Sequence, residues 1–488
     1  MRPSRKSTGR WVCRSACATT GTPAITTFRP PRGRPRSNGS RNGSRLWSPF
    51  MSWQSRRSFL NITAGLAASP LIGTSRGWSG ANDRIRVAVM GMGGRGGHLM
   101  TLSAKTRNIE VAAICDPDES RMRQWAASLE ALTNRRPRTE ADIRKVLDDD
   151  TVDALIIASC NHWHAPAAIF ACQAGKHVYV EKPVSHNVFE GRQLVAAAKK
   201  YGRVVQAGTQ NRSSARIWKA TKLLHEGVVG DVYMARWLIT GHRESIGFQH
   251  SEPPPAGLHW DLWLGPAPEQ PFHPNLVHYN WHWFWDFGNG EMGNNGTHYM
   301  DVARWGLGRG LPAKIHSIGG RFGYDDQGET PNTQTATFEY PDGSILVGEI
   351  RGVFTGEQPG WYFYGSRGSM QILPGGQFHV YWDANKSPDP VRSWSEEMDR
   401  GVDPDTVGDA GHLNNFYAAV RASDSSLLRA HISEAHVSNS MCLLANISYR
   451  TGRKLHLDVE AETVVGDPEA EGLLRRAYRK PFVVPEKI

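Results

Sequence analysis

The feature that most constrains this chain is a short apolar run that ends in a glycine-rich turn. Residues 84–90, RIRVAVM, have the pattern of a strand, and the stretch GMGGRGG follows at once. In a dinucleotide fold such glycines permit a tight turn, let the backbone approach a pyrophosphate and let helix and strand pack closely. The next helix then turns its N-terminus towards the phosphates. The residues predicted to bind a dinucleotide here are Gly91, Gly93, Arg95 and Gly96.

A second apolar run, Ile109 to Cys115, ends at Asp116, which lies 20 residues beyond Gly96. A carboxylate in this place typically binds the ribose hydroxyls and repels a 2′-phosphate. We therefore predict Asp116 as a cofactor residue and NAD as the cofactor. Arg121 could reach a phosphate, so NADP stands as the alternative.

Helical patterns at 141–147, 165–174 and 187–201 then alternate with strand patterns at 154–159, 177–180 and 204–207. This alternation predicts a doubly wound parallel sheet, an α/β Rossmann domain. Ligands of such sheets bind at the carboxyl ends of the strands. Polar clusters at those ends supply the remaining predicted cofactor residues, which are Ser159, Asn161, His162, His164, Glu181, Lys182 and Gln210.

Beyond residue 208 the patterns change. Residues 333–340 and 345–351 alternate around an Asp-Gly turn and predict a hairpin, and residues 362–373 predict another. Helical spacing recurs at 413–422 and 432–449, and we predict that these helices pack back on the first domain.

Four motifs, GMGGRG, SCNHWHAP, AGKHVYVEKP and GNNGTHYMD, together resemble the glucose-fructose oxidoreductase, inositol dehydrogenase and rhizopine-catabolism (Gfo/Idh/MocA) family. The resemblance runs from Arg84 to about residue 480, and the endings LANISYRTGRKL and LLRRAYRKPFVVP resemble a bacterial subgroup with an extended C-terminal domain. It implies a second, α+β domain with a large, mostly antiparallel open sheet that covers the nicotinamide. It also implies a homo-oligomer.

By this resemblance, Lys182 of the Glu-Lys-Pro motif reaches both the cofactor and a substrate hydroxyl. A lysine beside a positively charged nicotinamide has its ammonium form disfavoured, so it can exchange a proton with an alcohol. The alternative is a solvated lysine in a loop.

His298 is the second predicted catalytic residue, because the family pattern is Asp, three residues, His. Asn294 takes the place of the aspartate. An amide can hydrogen-bond a sugar but cannot accept its proton, so the base would be His298, with or without Lys182. A structural histidine is the alternative, and Asp301 is predicted to start the helix DVARWGL and to cap or support it.

An aromatic segment, VHYNWHWFWDFGNGE at residues 277–291, precedes His298. Because aromatic faces stack on sugar rings, we predict Tyr279 and Trp281 as substrate-binding residues together with Asn294. His278, Asn280 and His282 could bind hydroxyls, and tight packing of the loop is an equally weighted alternative. No metal is predicted, since the histidines lack metal-ligand spacing and His298 stands in a glycine-rich stretch.

The first 81 residues do not read as folded protein. Residues 1–50 are rich in Arg, Ser, Pro and Gly and lack a periodic apolar pattern, which predicts a disordered or untranslated leader with Met51 as the alternative start. Within residues 51–81, the sequence SRRSFL, a 15-residue apolar run and Ser-Gly-Ala predict a twin-arginine signal, the export machinery as a partner and a periplasmic location. The run is too short for the ~20 residues of a membrane span.

The predicted folded part consists of an NAD-binding Rossmann domain at 82–207 and a substrate-binding domain at 208–488. The formal charge of +10 does not indicate nucleic acid, because 14 of the 57 basic residues lie in residues 1–81 without a single acid, leaving 43 against all 47 acidic residues.

The predicted function is an NAD(P)-dependent oxidoreductase acting on a sugar, cyclitol or derivative. An exported enzyme has no ready NAD pool, so we predict a tightly bound cofactor. The alternative is a redox-neutral glycoside hydrolase that oxidises C3, eliminates the C1 group, adds water and returns the hydride. A non-catalytic sugar-binding protein is the third reading.

Overall fold

The computed structural model describes residues 84–382 and 389–488, so the predicted leader and export signal lie outside the described residues. The chain begins there with alternating strands and helices. In order these are β1 (Ile85–Met90), α1 (Gly94–Lys105), β2 (Ile109–Cys115), α2 (Glu119–Thr133), β3 (Arg138–Glu140), α3 (Ile143–Leu147), β4 (Ala154–Ile157), α4 (Asn161–Gln173), β5 (His177–Glu181), α5 (Val188–Lys200) and β6 (Val205–Gly208).

The six strands form one parallel sheet in the order β3-β2-β1-β4-β5-β6. The predicted doubly wound sheet is therefore confirmed. Strand β1 is buried along most of its length, as a strand covered on both faces must be. The chain order reverses between β1 and β4, which is where ligands bind in such sheets.

Two helices differ from the sequence prediction. Helix α4 begins at Asn161, four residues earlier than predicted, so the polar cluster after β4 forms its first turn. Helix α2 was not predicted; it begins after Asp118, whose side chain accepts hydrogen bonds from the backbone N–H groups of Ser120 and Arg121.

The second part of the chain forms a ten-stranded sheet. Its strands are β7 (Val232–Thr240), β8 (Lys314–Gly320), β9 (Thr333–Glu339), β10 (Ile345–Arg351), β11 (Gly360–Gly365), β12 (Gly368–Ile372), β13 (Phe378–Trp382), β14 (Arg392–Ser393), β15 (Leu455–Asp458) and β16 (Thr463–Val464). Their order is β14-β13-β12-β11-β7-β10-β9-β8-β15-β16, and only the β7–β10 pair is parallel. The mostly antiparallel sheet and both predicted hairpins are confirmed.

The helices of this part are α6 (Ala215–His225), α7 (Trp260–Leu264), α8 (Gly290–Gly293), α9 (Gly296–Leu307), α10 (Gly408–Ala422), α11 (Ile432–Thr451) and α12 (Pro468–Gly472). The predicted return of two helices to the first domain is confirmed. In α10, Leu413 and Phe416 share a buried cluster with Val87 of β1, and Ile432 of α11 shares one with Leu194 of α5. Segments from distant parts of the chain thus pack against the elements of the parallel sheet.

The predicted boundary between residues 207 and 208 falls at the end of β6 and stays a prediction. Within the described residues, none of the helices has the length and apolar character that a bilayer crossing requires.

Candidate active site

The glycine turn after β1 is packed against the end of β4. Gly91 has a φ of +88°, and a β-carbon there would lie 2.5 Å from the backbone nitrogen of Ser159. A β-carbon at Gly96 would lie 1.7 Å from the carbonyl oxygen of Gly91. Side chains are therefore excluded at both positions. Gly91 and Gly93 line a cavity of about 580 Å³, whereas Gly96 lies outside its lining and lets the turn close.

Asp116 follows β2 and lines the same cavity. Its carboxylate accepts hydrogen bonds from the backbone N–H groups of Met92, at 2.6 Å, and Asp118, at 2.9 Å. Burial raises the pKa of Asp116 to about 6, although these two N–H groups oppose the shift. An acceptor anchored in this way suits the ribose hydroxyls predicted for this position.

Arg121, on which the NADP alternative depends, also lines the cavity. Its Nε lies 3.9 Å from the carboxylate of Asp118, and Nε2 of His278 lies 3.3 Å from the same carboxylate. Asp118 and Asp116 thus place two carboxylates beside one arginine. This charge balance favours NAD over a cofactor that carries a further phosphate.

The polar cluster after β4 is divided by its helical conformation. Because α4 begins at Asn161, successive side chains point about 100° apart. Asn161 and His164 line the cavity with Ser159, whereas His162 does not. Nε2 of His162 lies 3.0 Å from the carbonyl oxygen of Trp263. His162, predicted as a cofactor residue, therefore supports the neighbouring loop instead of reaching the cavity.

Glu181, the last residue of β5, is held by two neighbours. Its carboxylate accepts hydrogen bonds from Nε of Arg95 and Nε2 of Gln210, each at 2.8 Å. Burial alone would raise the pKa of Glu181, but the charges of Arg95 and Lys182 hold it below its usual value. All four residues line the cavity, and each is one of the predicted cofactor residues.

Lys182 contacts a residue that is far away in the sequence. Its Nζ donates hydrogen bonds to the backbone oxygen of Asn294, at 3.2 Å, and to the side-chain Oδ1, at 3.1 Å. Burial lowers the pKa of Lys182, and the carboxylates of Glu181 and Glu291 oppose this shift. A lysine with a lowered pKa exchanges protons more readily near neutrality. The predicted catalytic lysine and the predicted substrate-binding amide are thus in direct contact.

His298 lies in the first turn of α9 and lines the cavity together with Lys182. Burial lowers the pKa of His298 to about 3, and the charge of Lys182 adds to the shift. The imidazole is therefore neutral at physiological pH, the form that can accept a proton. Its Nδ1 is buried and has no hydrogen-bond partner among residues 84–382 and 389–488.

Helix α9 begins at Gly296, five residues before Asp301, so the glycine-rich stretch that contains His298 forms its first turn. The prediction that Asp301 starts and caps this helix is therefore wrong. The other role named for Asp301, support of the helix, agrees with its contacts. Its two carboxylate oxygens bind the guanidinium group of Arg212 at 2.7 and 2.9 Å, a buried ion pair.

A buried carboxylate orients Asn294, and the sequence alone did not indicate it. Glu291 pairs with Arg243 at 2.9 Å and also accepts hydrogen bonds from the side-chain nitrogens of Asn294, at 3.4 Å, and Asn295. The amide oxygen of Asn294 therefore faces Lys182 while its nitrogen faces Glu291. Because both ends of the amide are engaged, its orientation is fixed.

The aromatic loop contributes four side chains to the cavity: His278, Tyr279, Trp281 and His282. Tyr279 is half-exposed, whereas Trp281 is buried and its Nε1 donates a hydrogen bond to the carbonyl oxygen of His278 at 3.1 Å. The imidazole of His282 stacks on Trp281, with ring centres 3.6 Å apart. The packing of the loop is thus observed, whereas substrate binding by Tyr279 and Trp281 stays a prediction.

Asp409, in the first turn of α10, lines the cavity as well. Its carboxylate accepts two hydrogen bonds from Arg95, at 2.8 and 3.0 Å, and lies 3.0 Å from Nε2 of His98. Position 409 belongs to no local motif, so sequence reasoning did not single it out. Its contact with α1 joins residues 314 positions apart.

These residues fit a dinucleotide. The N-terminus of α1 faces the cavity with no side chain at Gly93 or Gly94, which suits a pyrophosphate. Asp116 supplies an anchored acceptor, and Lys182 and His298 face the same cavity. Within the part of the chain that the structure describes, no three His, Cys, Asp or Glu side chains are grouped as metal ligands.

Two family descriptions match the chain: an oxidoreductase family with an NAD-binding Rossmann fold, over residues 85–209, and the C-terminal alpha/beta domain of the same family, over residues 243–484. The protein therefore belongs to the Gfo/Idh/MocA family of oxidoreductases and carries its NAD-binding Rossmann fold.

Curated relatives are similar over part of their length. Inositol 2-dehydrogenase 2 of Saccharopolyspora erythraea is 31% identical over 152 residues, which are 31% of this chain and 43% of that protein. A glycosyl hydrolase family 109 protein of the same organism is 28% identical over 156 residues, or 31% and 34% of the two chains. The chain thus spans less than half the length of these relatives.

Solved structures share the fold over most of the chain. The WlbA dehydrogenase of Chromobacterium violaceum, in complex with NADH and UDP-GlcNAcA, has a TM-score of 0.59 at 18% identity and covers 77% of this chain and 97% of its own. Levoglucosan dehydrogenase, in complex with NADH and L-sorbose, has a TM-score of 0.59 at 16% identity, with 77% and 99% covered. At these identities the likeness shows the fold alone.

Proposed function

We propose that the protein is an NAD-dependent dehydrogenase that takes a hydride from a carbinol carbon of a sugar, cyclitol or derivative. The observation that carries this proposal is the cavity in which the glycine turn and Asp116 share one space with Lys182, Asn294 and His298. The relatives named for inositol and levoglucosan oxidation support the substrate class.

The chain supplies positions and charges for the reaction. When bound, the nicotinamide provides the hydride acceptor. His298 is neutral and accepts the hydroxyl proton at a ring nitrogen, while Lys182 donates a hydrogen bond to the oxygen on which negative charge develops. Asn294 keeps the ammonium of Lys182 in place.

The test begins with the purified protein, which is denatured and assayed for released NAD. A second, native sample is supplied with NAD and then given myo-inositol, glucose and levoglucosan. NADH formation is followed by absorbance. NADH formation with one of these supports the dehydrogenase. Absence of any bound or binding dinucleotide would sink the proposal.

The redox-neutral glycoside hydrolase is the second candidate. It is favoured by the amide at Asn294 in place of a carboxylate and by the relatives in glycosyl hydrolase family 109. Lys182 favours the dehydrogenase, because its ammonium group, held by Asn294, can donate a hydrogen bond to an alcohol oxygen. Aryl glycosides incubated in D₂O without added cofactor separate the two, because only the hydrolase releases the aryl group and places deuterium at C2.

We also propose that the protein is exported with its cofactor already bound and works as a homo-oligomer in the periplasm. The support is the SRRSFL motif at residues 55–60 and the absence of an NAD supply outside the cytoplasm. Cell fractionation, N-terminal sequencing of the processed protein and light scattering test the three parts of this proposal.

A further inference from the structure

The imidazole of His282 is fixed in one orientation and one tautomer. Its Nδ1 lies 2.6 Å from the carbonyl oxygen of Tyr279. A carbonyl can only accept a hydrogen bond, so Nδ1 carries the proton. The ring is stacked on Trp281 at 3.6 Å and lies 4.6 Å from the ring of Tyr279. Nε2 is therefore a bare lone pair whose direction the packing determines.

The surroundings keep this imidazole neutral. Burial lowers the pKa of His282 to about 3, and the positive charges of Lys182 and Arg243 add to the shift. The ring lines the cavity that also holds Lys182 and His298. Nδ1 makes the hydrogen bond to Tyr279, and Nε2 has no hydrogen-bond partner among the residues that the structure describes. An acceptor in the same cavity as the donor Lys182 is thus left for a ligand.

His278 and Asn280, the other two residues that the sequence suggested as partners for hydroxyls, are placed differently from His282. Nε2 of His278 faces the carboxylate of Asp118 at 3.3 Å, beside Asp116. Asn280 is absent from the lining of the cavity. Of the three residues that the sequence suggested as partners for hydroxyls, only His282 presents to the cavity an acceptor without a partner among the described residues.

We propose that His282 binds a second hydroxyl of the substrate, accepting a hydrogen bond at Nε2 while the reacting hydroxyl lies at Lys182 and His298. This inference rests on the proposed function and narrows its substrate class to polyols that have a free hydroxyl near the oxidised carbon. A hydroxyl both donates and accepts, whereas the neutral His282 can only accept at Nε2. An analogue without that hydroxyl covers Nε2 of the partly buried His282 without giving it a partner, and such sites discriminate strongly.

The test compares three variants as NAD-loaded enzymes. His282→Phe keeps a flat ring between its aromatic neighbours and removes the acceptor, while His282→Gln retains an acceptor oxygen. His273→Phe is the matched control, because His273 packs edge-on against Phe284 of the aromatic loop and does not line the cavity. Each variant is assayed with the polyol that the wild type oxidises and with its monodeoxy analogues.

We expect His282→Phe to lose about 10- to 100-fold in kcat/KM with the polyol and less than about 3-fold with one monodeoxy analogue, which identifies the hydroxyl. His282→Gln should recover part of the loss, and NADH affinity should stay unchanged in all variants. Equal losses with the polyol and every deoxy analogue, or no loss at all, would overturn the role of His282.

The inference and the proposed function can fail separately. If the wild type oxidises none of the polyols, the proposed function fails, and the same polyols are titrated calorimetrically into the NAD-loaded protein. Weaker binding of a polyol to His282→Phe than to wild type then still supports the hydroxyl contact. Equal binding to both proteins, or binding to neither, refutes it.

Discussion

The two halves of the cavity are built in different ways. The cofactor half, defined by Gly91, Gly93, Gly94, Asp116 and Ser159, is formed at the ends of adjacent strands by glycine backbone and by a carboxylate that backbone N–H groups hold. The substrate half, defined by Lys182, His282, Asn294 and His298, is formed by side chains held by other side chains. Backbone geometry follows from local sequence, whereas the side-chain network exists only after distant segments have met.

The strongest test of the substrate half is Lys182→Met. The thioether keeps much of the side-chain volume but removes the donor to the developing alkoxide, so we expect kcat to fall about 1,000-fold. NADH affinity should change less than about 3-fold, because the glycine turn and Asp116 are untouched. Stopped-flow fluorescence for binding and steady-state assays for kcat give the two numbers. Parallel loss of both would show that the halves are not separable.

The test of the cofactor half compares Gly96 with a glycine that does not line the cavity. In Gly96→Ala the new methyl group collides with the carbonyl oxygen of Gly91, so the turn must open. We expect NADH to bind about 100-fold more weakly, which corresponds to the upper range for overpacking. Gly472→Ala in α12 is the control, since a β-carbon there has nothing within 4 Å and the residue does not line the cavity. Similar affinities for the two variants would contradict the packing argument.

This contrast explains what could be predicted from the sequence. The glycine turn, Asp116, Glu181 and Lys182 stand next to strands that the apolar pattern indicates, so their place at the sheet edge could be inferred. Glu291, Arg243 and Asp409 act through contacts between distant segments, which no periodicity encodes. The prediction that His162 binds the cofactor was wrong for a local reason. Helix α4 begins earlier than predicted, which turns this side chain away from the cavity.

The two halves should also respond differently to pH. The pKa of Asp116 is raised to about 6, so its carboxylate gains a proton as the pH falls through that value and loses an acceptor for the ribose. We expect NADH binding to weaken about tenfold between about pH 7 and pH 5. His298, with a pKa of about 3, stays neutral over this interval, so kcat at saturating cofactor should not show the step.

The control for this prediction is Asp116→Asn, which should bind NADH weakly at every pH of the interval and without the pH step. A step that persists in this variant would assign it to another group.

The smallest expected effect concerns Asp409, a residue of α10 whose side chain binds Arg95 beside the glycine turn. Asp409→Asn keeps the shape but weakens the paired hydrogen bonds that orient Arg95 beside the glycine turn. The pair is partly exposed, so we expect NADH affinity to fall only about 3- to 5-fold, mainly through faster dissociation. Asp399→Asn is the matched control, because Asp399 pairs with Arg216 and neither residue lines the cavity. If Asp409→Asn binds NADH as tightly as the control, Arg95 is positioned by Glu181 alone. The cofactor half would then need no contact from α10.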